Sequence, residues 1–188
     1  IAESFSEIDK CIWLCEYYIE NSKEFLKVET IKTDASKSYV SFEPLGIILG
    51  IMPWNFPYWQ VFRFAIPAIL SGNTVVVKHA SNVSGCSLLI EKIFSINIKL
   101  NIFQSLLLTS LKMKDVIENP LIKAISLTGS EKAGSKVASL AGNKIKKILL
   151  ELGGSDAFIV CKDADIKKAS EKAVAARMLN TGQSCIAA

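Results

Sequence analysis

The feature that most constrains the fold is an alternation, from residue 45 onward, of short apolar runs with longer segments of helical periodicity. Four runs, rich in β-branched and other large apolar residues and followed by polar or glycine residues, are typical of buried strands. They are LGIILGIMP, NTVVVKHA, IKAISLTGS and KKILLEL, and AFIV at 157–160 predicts a further short strand. Because consecutive parallel strands need a crossover that is usually a helix, the alternation predicts an α/β fold with a parallel sheet.

The remaining segments are predicted to form helices, turns and one arm. Residues 33–42 are polar with some alternation, which predicts a strand or hairpin arm, whereas residues 97–113 fit a strand or a helix. KDVIENP at 114–120 predicts a helical turn that ends at the proline. Helices are predicted at 3–27, 57–70, 81–93, 131–142 and 163–179.

A chain of 188 residues, 50% of them hydrophobic, can form one domain, or one domain and part of another, with a buried core. The net charge of +4 is spread along the chain, so we interpret it as a solvated surface and expect no nucleic-acid partner. The apolar runs are far shorter than the roughly 18 residues of a membrane span, and no targeting segment is visible. Five cysteines without disulfide-type spacing and one histidine predict reduced thiols, a cytoplasmic location and no metal site.

Polar and small residues follow several of the predicted strands directly. Asn55 follows the first strand, Lys78 lies near the end of the second, Gly129 and Ser130 follow the third, and Glu151 ends the fourth. In parallel α/β sheets, ligands bind beyond the carboxyl ends of the strands. We therefore expect these residues to share one edge and to form a ligand site there.

Three residues suit catalysis, although each also has a structural interpretation. Cys185, in the small polar run NTGQSC, suits a nucleophile and equally a structural thiol. Asn55, between the prolines of PWNFP, suits a rigid oxyanion donor or an Asx turn. Glu151, before Leu152 and two glycines, suits a partly desolvated general base or a carboxylate that caps a helix.

Five motifs in order make the sequence recognisable: PWNFP, KHAS, LTGSEKAG, LELGG and NTGQSC. Each is weak alone, and TGSEKAG is not the GxGxxG pattern of dinucleotide turns. Together they closely resemble the aldehyde dehydrogenase superfamily, from about residue 3 to the end of the chain. Within this superfamily, the segments PWNFPYWQVFRFAIPAILSGN and LELGGSDAFIV most resemble the sequences of the succinate-semialdehyde dehydrogenase branch.

The resemblance implies a catalytic role for each of the three candidates. Cys185 corresponds to the nucleophile that attacks the aldehyde and forms a thiohemiacetal, then a thioester. Asn55 corresponds to the residue that holds the oxyanion together with the backbone N–H of Cys185. Glu151 corresponds to the base that activates water to hydrolyse the thioester.

The resemblance implies NADP or NAD as the cofactor. Lys78 and Ser81 match positions that contact the adenosine ribose, and many NAD-preferring members have a glutamate where Ser81 stands. Without that negative charge to repel a 2′-phosphate, we expect NADP to be accepted. The implied cofactor-binding residues are Trp54, Asn55, Lys78, His79, Ala80, Ser81, Gly129, Ser130 and Leu152.

The resemblance implies a small aldehyde as the substrate, and we expect succinic semialdehyde. Arg63 matches an arginine that meets the substrate carboxylate, although an ordinary arginine on a helix surface is the competing interpretation. Some semialdehyde members have a second arginine immediately before NTGQ, where this chain has Leu179.

The implied organisation is that of a fragment. Residues 1–152 correspond to most of a Rossmann-like cofactor domain, with an oligomerisation arm at about 31–43, and residues 153–188 to the start of the catalytic domain. Complete members form homo-oligomers, and the segment 96–111 departs from their usual pattern. We expect little turnover from the 188 residues alone. A dinucleotide-binding module without its own catalysis and a degraded remnant are the two competing interpretations.

Overall fold

The computed structural model describes residues 2–97 and 100–187, so residues 98 and 99 of the ambiguous segment at 97–113 lie outside the described residues. The chain begins with α1, Ala2–Phe25, as predicted. The buried residues of α1 are Glu7, Cys11 and Leu14, which recur at helical spacing because one face of the helix packs against α2, Trp59–Leu70.

A two-stranded ribbon follows α1. β1 (Glu29–Thr30) pairs antiparallel with β2 (Tyr39–Val40), and all four residues are exposed. The predicted arm is therefore present, but only two residues of the stretch 33–42 are strand. Because all four strand residues are exposed, the ribbon buries no strand side chain within the described part of the chain, and an isolated two-stranded pair of this kind is only marginally stable.

The main sheet has five parallel strands, which confirms the predicted fold class. The strands are β3 (Ile47–Met52), β4 (Thr74–His79), β5 (Phe103–Ser105), β6 (Ile122–Thr128) and β7 (Lys147–Glu151). Their spatial order is β5-β4-β3-β6-β7, so the first strand lies in the centre, the next two lead to one edge, and the last two lie on the other side of β3. The strand order reverses between β3 and β6, which is where open α/β sheets bind ligands.

Helices cover both faces of the sheet. α2 and α3 (Ser84–Asn97) connect β3, β4 and β5, and they pack Val61, Ala65 and Ile90 against Val75 and Val77. α4 (Met113–Glu118) and α5 (Glu131–Gly142) form a second cluster on β6. The members of that cluster are Leu49, Met113, Ile117, Ile122, Ile125, Leu127, Val137 and Ala141.

Gly50 allows α2 to approach β3 closely. A Cβ atom at this position would lie 2.6 Å from Cε1 of Phe64, a distance that real Cβ contacts do not show. Any larger side chain at position 50 would therefore displace the ring that α2 packs against β3. The position of α2 matters because its first turn follows PWNFP directly.

The short strand predicted at 157–160 is wrong. Residues 152–161 form no regular element, and Phe158, Ile159 and Val160 are 43%, 81% and 46% exposed. A strand needs a neighbouring strand to accept its backbone hydrogen bonds, and none of the described strands pairs with this segment. α6, Ile166–Met178, follows and begins at the side-chain cap of Asp165.

The ambiguous stretch at 97–113 combines three local structures. α3 ends at Asn97, β5 occupies Phe103–Ser105, and a 3₁₀ turn at Ser110–Lys112 leads into α4. β5 thus completes one edge of the sheet with only three residues. None of the described helices has the length and apolar content to cross a membrane.

Candidate active site

The carboxyl ends of four strands meet at one edge of the sheet. In the strand register, Met52 lies beside His79, and Thr128 lies beside Glu151. The loops that leave these strands carry the polar residues of the five motifs, so the predicted residues do share an edge.

A cavity of about 250 Å³ opens where the strand order reverses. The loop after β3 contributes Trp54 and Asn55, the turn into α5 contributes Gly129 and Ser130, and Leu152 follows β7. All five are among the predicted cofactor-binding residues. We refer to this space as the inner cavity.

Cys185 borders the inner cavity and also a second one of about 470 Å³, which we call the outer cavity. The outer cavity lies against α1 and α2, and Lys10, Trp59 and Arg63 line it together with Cys185. Cys185 is a free, half-buried thiol. Its position lets one thiol face a ligand in each cavity.

The backbone before Cys185 has an unusual conformation. Asn180, Thr181 and Gly182 have φ angles of 51°, 60° and 75°, all in the left-handed region. Glycine accepts this region readily, but a β-branched threonine rarely does. Strain of this kind costs about 1–3 kcal/mol per residue and persists only where surrounding contacts hold it.

Asn55 supplies those contacts. Its side-chain nitrogen donates to the carbonyl of Gln183 at 2.8 Å, and the side-chain nitrogen of Asn180 donates to the carbonyl of Asn55 at 3.0 Å. The two reciprocal bonds join segments that are 125 and 128 residues apart in sequence. Since an amide NH₂ has two hydrogens, Asn55 keeps a second donor for a ligand.

Glu7 holds the segment that carries Asn55 from the side of α1. Tyr58 provides no side-chain cap for α2, and one carboxylate oxygen of Glu7 accepts from the N–H groups of Tyr58 and Trp59, both at 2.8 Å. Burial raises the pKa of Glu7, while these two hydrogen bonds act in the opposite direction. A residue more than 50 positions earlier thus caps the helix.

His79 holds the same segment from the side of the sheet. Its Nδ1 accepts from the N–H of Ala80 at 3.0 Å, so Nε2 carries the proton and donates to the carbonyl of Pro57 at 2.8 Å. Burial lowers the pKa of His79, which favours this neutral form. Because the ring is buried, only the backbone of His79 remains for the cofactor contact predicted for it.

Lys78, Ala80 and Ser81 lie at the end of β4, outside the lining of both cavities. Lys78 is half-buried, and Ser81 is exposed at the start of a 3₁₀ turn. The end of β4 lies next to that of β3, so these residues flank the strand end whose loop lines the inner cavity.

Arg63 and Glu151 form an ion pair. Nη2 of Arg63 lies 3.5 Å from Oε2 of Glu151, and the two side chains are 39% and 46% exposed. Arg63 lines the outer cavity with Cys185, whereas Glu151 lines neither cavity. The predicted base is therefore held by the predicted substrate-binding residue.

Gln60 is a site residue that the sequence did not reveal. It borders both cavities with Cys185, and its side chain is 4% exposed. Its Oε1 atom is buried and has no hydrogen-bond partner within the described part of the chain. A glutamine in the apolar run WQVFRFAIPAIL was the available signal. Among the described residues, no cluster of three or more His, Cys, Asp or Glu could hold a metal ion.

Comparison with known families finds a match over the whole chain. Residues 1–188 match the model of the aldehyde dehydrogenase family. A probable succinate-semialdehyde dehydrogenase [NADP(+)] from Synechocystis is 49% identical over 189 residues, and succinate-semialdehyde dehydrogenase [NADP(+)] 1 from Mycobacterium tuberculosis is 45% identical over 192. The matches cover 100% of this chain but only 42% of each relative.

Solved structures agree with the fold. A succinic semialdehyde dehydrogenase from Streptococcus pyogenes in complex with NADP⁺ superposes with a TM-score of 0.91 at 34% identity. Gox0499, studied for cofactor and substrate selection, superposes with a TM-score of 0.93 at 41% identity. Both matches cover 97% of this chain and 40% of the other chain.

Proposed function

The chain belongs to the aldehyde dehydrogenase family, and we propose that it contributes the cofactor cleft and the nucleophile for NADP-dependent oxidation of succinic semialdehyde to succinate. The observation that carries this proposal is the position of Cys185 on the border of two cavities. The relatives named as NADP-dependent succinate-semialdehyde dehydrogenases support the choice of substrate and cofactor.

Cys185 and Asn55 perform the capture of the aldehyde. The thiolate sulfur of Cys185 attacks the carbonyl carbon and forms a C–S bond, while the electron pair of the C=O π bond and the negative charge move to the carbonyl oxygen. The second N–H of Asn55 and the backbone N–H of Cys185 donate to that oxygen. Because Asn55 also bonds to Gln183, two residues before the nucleophile, one side chain fixes the turn and serves the oxyanion.

The inner cavity fits a flat cofactor ring. Gly129 has no side chain, and the hydroxyl of Ser130 accepts from the N–H of Ala133 at 3.3 Å, so Ser130 is engaged in capping α5. When bound, NADP⁺ supplies the hydride acceptor for the oxidation. Lys78 favours a phosphate by its charge, and the uncharged Ser81 does not repel one.

Glu151 serves the hydrolytic half of the reaction. It accepts a proton from the water that attacks the thioester carbon on Cys185, after which the C–S bond breaks and the carboxylic acid leaves. Arg63 binds the distal carboxylate of the substrate from the outer cavity, which Cys185 also borders.

The remaining features of the proposal concern organisation. Residues up to 152 form the cofactor domain of the complete enzyme, and those from 153 begin its catalytic domain. The ribbon of β1 and β2 is an oligomerisation arm, since its side chains are exposed and its edges unpaired within the described chain. All five cysteines are free, which fits the reducing cytoplasm.

The first prediction tests the nucleophile. Purified chain is incubated with NADP⁺ and succinic semialdehyde, and NADPH is followed at its nicotinamide absorbance over hours as a single-turnover experiment. We expect Cys185→Ser to abolish NADPH formation while leaving NADP⁺ binding unchanged, since only the attacking sulfur is lost. Mass spectrometry should detect the thioester on Cys185 of the unmodified chain.

The exposed Cys161 provides the matched control, and Cys161→Ser should behave as the unmodified chain does. Equal NADPH formation by Cys185→Ser and Cys161→Ser would reject the nucleophile. NADP⁺ binding without any NADPH would favour a dinucleotide-binding module.

A further inference from the structure

We propose that Arg63 exchanges carboxylates: it pairs with Glu151 in the free site and with the substrate carboxylate in the complex. A carboxylate-bearing aldehyde would thereby release Glu151 to act as the base. This inference rests on the proposed function, because it takes the roles of Arg63 and Glu151 from it. It adds that the substrate itself frees the base.

The positions of the two side chains motivate the exchange. Glu151 ends β7, and its carboxylate meets the guanidinium of Arg63 at 3.5 Å. Glu151 lines neither of the cavities that Cys185 borders, whereas Arg63 lines the outer one. A base in this position is held by the arginine and lies outside the lining of both cavities that a thioester on Cys185 would border.

The strength of the pair is suited to exchange. Its N–O distance is long for a charge-assisted hydrogen bond, and both side chains are more than one third exposed. Exposed pairs of this kind contribute little, so a second carboxylate can compete effectively. A substrate held at Cys185 gains further contacts, which favour it over Glu151.

The other charges of the outer cavity leave Arg63 as the main carboxylate receptor. The ammonium of Lys10 lies 4.1 Å from the ring centroid of Trp59, where a cation–π contact holds it. The carboxylates of Glu3 and Glu7 also line this cavity and do not attract a further carboxylate, and Glu7 is engaged with the N–H groups at the start of α2. The planar guanidinium of Arg63 can bind a carboxylate in bidentate geometry.

The exchange predicts a preference that binding alone does not. A semialdehyde should accelerate hydrolysis of its own thioester, because its carboxylate removes Glu151 from Arg63. A neutral aldehyde of the same length should leave the ion pair intact. The site would then discriminate between semialdehydes and neutral aldehydes at thioester hydrolysis as well as at capture of the aldehyde by Cys185.

Succinate binding to the purified chain tests the competition. Succinate lacks an aldehyde, so its dissociation constant can be measured without chemistry, with butyramide as the uncharged probe. We expect Glu151→Gln to lower the dissociation constant of succinate about two- to five-fold, because an exposed ion pair contributes a free energy that corresponds to this factor. Butyramide affinity should not change. Glu20→Gln, an exposed carboxylate on α1, is the charge-matched control and should leave succinate binding unaltered.

Arg63→Leu separates the inference from the proposed function. This substitution should lower the affinity of the chain for succinate more than ten-fold. Unchanged affinity would reject Arg63 as the residue that binds the substrate carboxylate, and hence that part of the proposed function. If Arg63→Leu weakens succinate but Glu151→Gln fails to tighten it, the exchange alone is wrong.

A spectroscopic measurement observes the released base directly. At constant pH, succinate should move the ¹³C carboxylate resonance of Glu151 toward its position in the free Arg63→Leu variant, and butyramide should not. Succinate binding without movement of this resonance would mean that Arg63 holds both carboxylates at once, which contradicts the exchange.

Discussion

The amide oxygen of Gln60 lies buried beside Cys185 without a hydrogen-bond partner in the described chain. A buried acceptor of this kind costs about 1–3 kcal/mol of unfolding free energy. A buried acceptor without a partner needs an explanation, and a ligand in either of the cavities that Gln60 borders could supply the missing donor. The residue therefore lies in the candidate site, although none of the five motifs contains it.

The second prediction concerns Gln60→Met, which keeps the shape of the side chain and removes the unpaired oxygen. We expect the unfolding free energy to rise by about 1 kcal/mol, measured by denaturant unfolding. Gln104→Met, at an exposed position of β5, is the control and should change it by less than about 0.5 kcal/mol. Destabilisation by Gln60→Met would indicate that the oxygen is satisfied in the folded chain.

The third prediction concerns His79, the only histidine of the chain. Burial lowers its pKa from the ordinary value of 6.5, so the unfolded chain takes up the proton first as the pH falls. The stability that His79 contributes is present above pH 6.5 and is lost as the pH falls through its lower folded pKa.

Denaturant unfolding between pH 7.5 and 5 measures this dependence. The difference in unfolding free energy between the unmodified chain and His79→Gln should shrink as the pH falls, because glutamine does not titrate. A difference that stays constant over this range would contradict the assignment of a buried neutral ring.

At the scale of elements, α1 and β4 hold the start of α2 from opposite sides. Glu7 caps the backbone N–H groups of α2, and His79 binds the carbonyl of Pro57 just before it. Asn55 lies between these contacts and the turn before Cys185, so its geometry depends on both elements. The site is therefore supported by the packing of α1 as well as by the sheet.

The fourth prediction compares Glu7→Leu with Glu7→Gln. The leucine leaves two N–H groups without an acceptor and should lower the unfolding free energy by about 1–3 kcal/mol, whereas the glutamine keeps the acceptor oxygen. Since burial raises the pKa of Glu7, its stabilising contribution is lost as the pH rises through the folded pKa. The unfolding free energy of Glu7→Gln should therefore increase relative to that of the unmodified chain as the pH rises.

Denaturant unfolding at pH 5 and 8 measures both effects. Glu20→Leu, at an exposed position of the same helix, is the control for a leucine on α1. Equal unfolding free energies for Glu7→Leu and Glu20→Leu would show that the cap contributes nothing.

Hydrophobic periodicity predicted most helices and strands, but it failed for segments of only three or four residues. α1, α2, α5 and the strands β3, β4, β6 and β7 were predicted because each repeats its pattern over several residues. AFIV has the composition of a strand, yet only a neighbouring strand can make it one. β5 lay within an ambiguous run because three residues carry too little pattern to be recognised.

At the scale of the whole molecule, many apolar side chains in the segment after β7 are exposed to solvent. α6 has no buried residue, and Ile159, Ile166 and Ile186 are 81%, 67% and 71% exposed. The chain spans 42% of the length of its named relatives. Apolar side chains with this exposure do not exclude water from Cys185, and a thioester site needs rigid walls.

The fifth prediction is that the 188 residues alone turn over slowly. With succinic semialdehyde and NADP⁺ we expect steady-state turnover at least 100-fold below the roughly 10 per second typical of enzymes. NADPH absorbance measures it, with the thioester yield per chain as the internal reference. A rate near 10 per second would contradict this expectation, while a melting curve without a cooperative transition would favour a degraded remnant.

The sequence by itself determined the parallel sheet and the identity of the family, and it predicted the edge of the sheet at which a ligand would bind. These follow from local periodicity and from motifs whose residues are neighbours in the chain, so they can be inferred without coordinates. The sequence motifs also indicated the candidate catalytic and substrate-binding residues, which are Cys185, Asn55, Glu151 and Arg63.

Only the tertiary structure decided how that set is connected. The pair of Arg63 with Glu151, the cap that Glu7 provides to α2 and the unpaired oxygen of Gln60 join residues far apart in the chain. Their contacts depend on where packed helices direct their side chains, and no local pattern encodes that direction. For this reason the residues of the candidate site could be named from the sequence, but the ion pair that holds the proposed base, Glu151, could not.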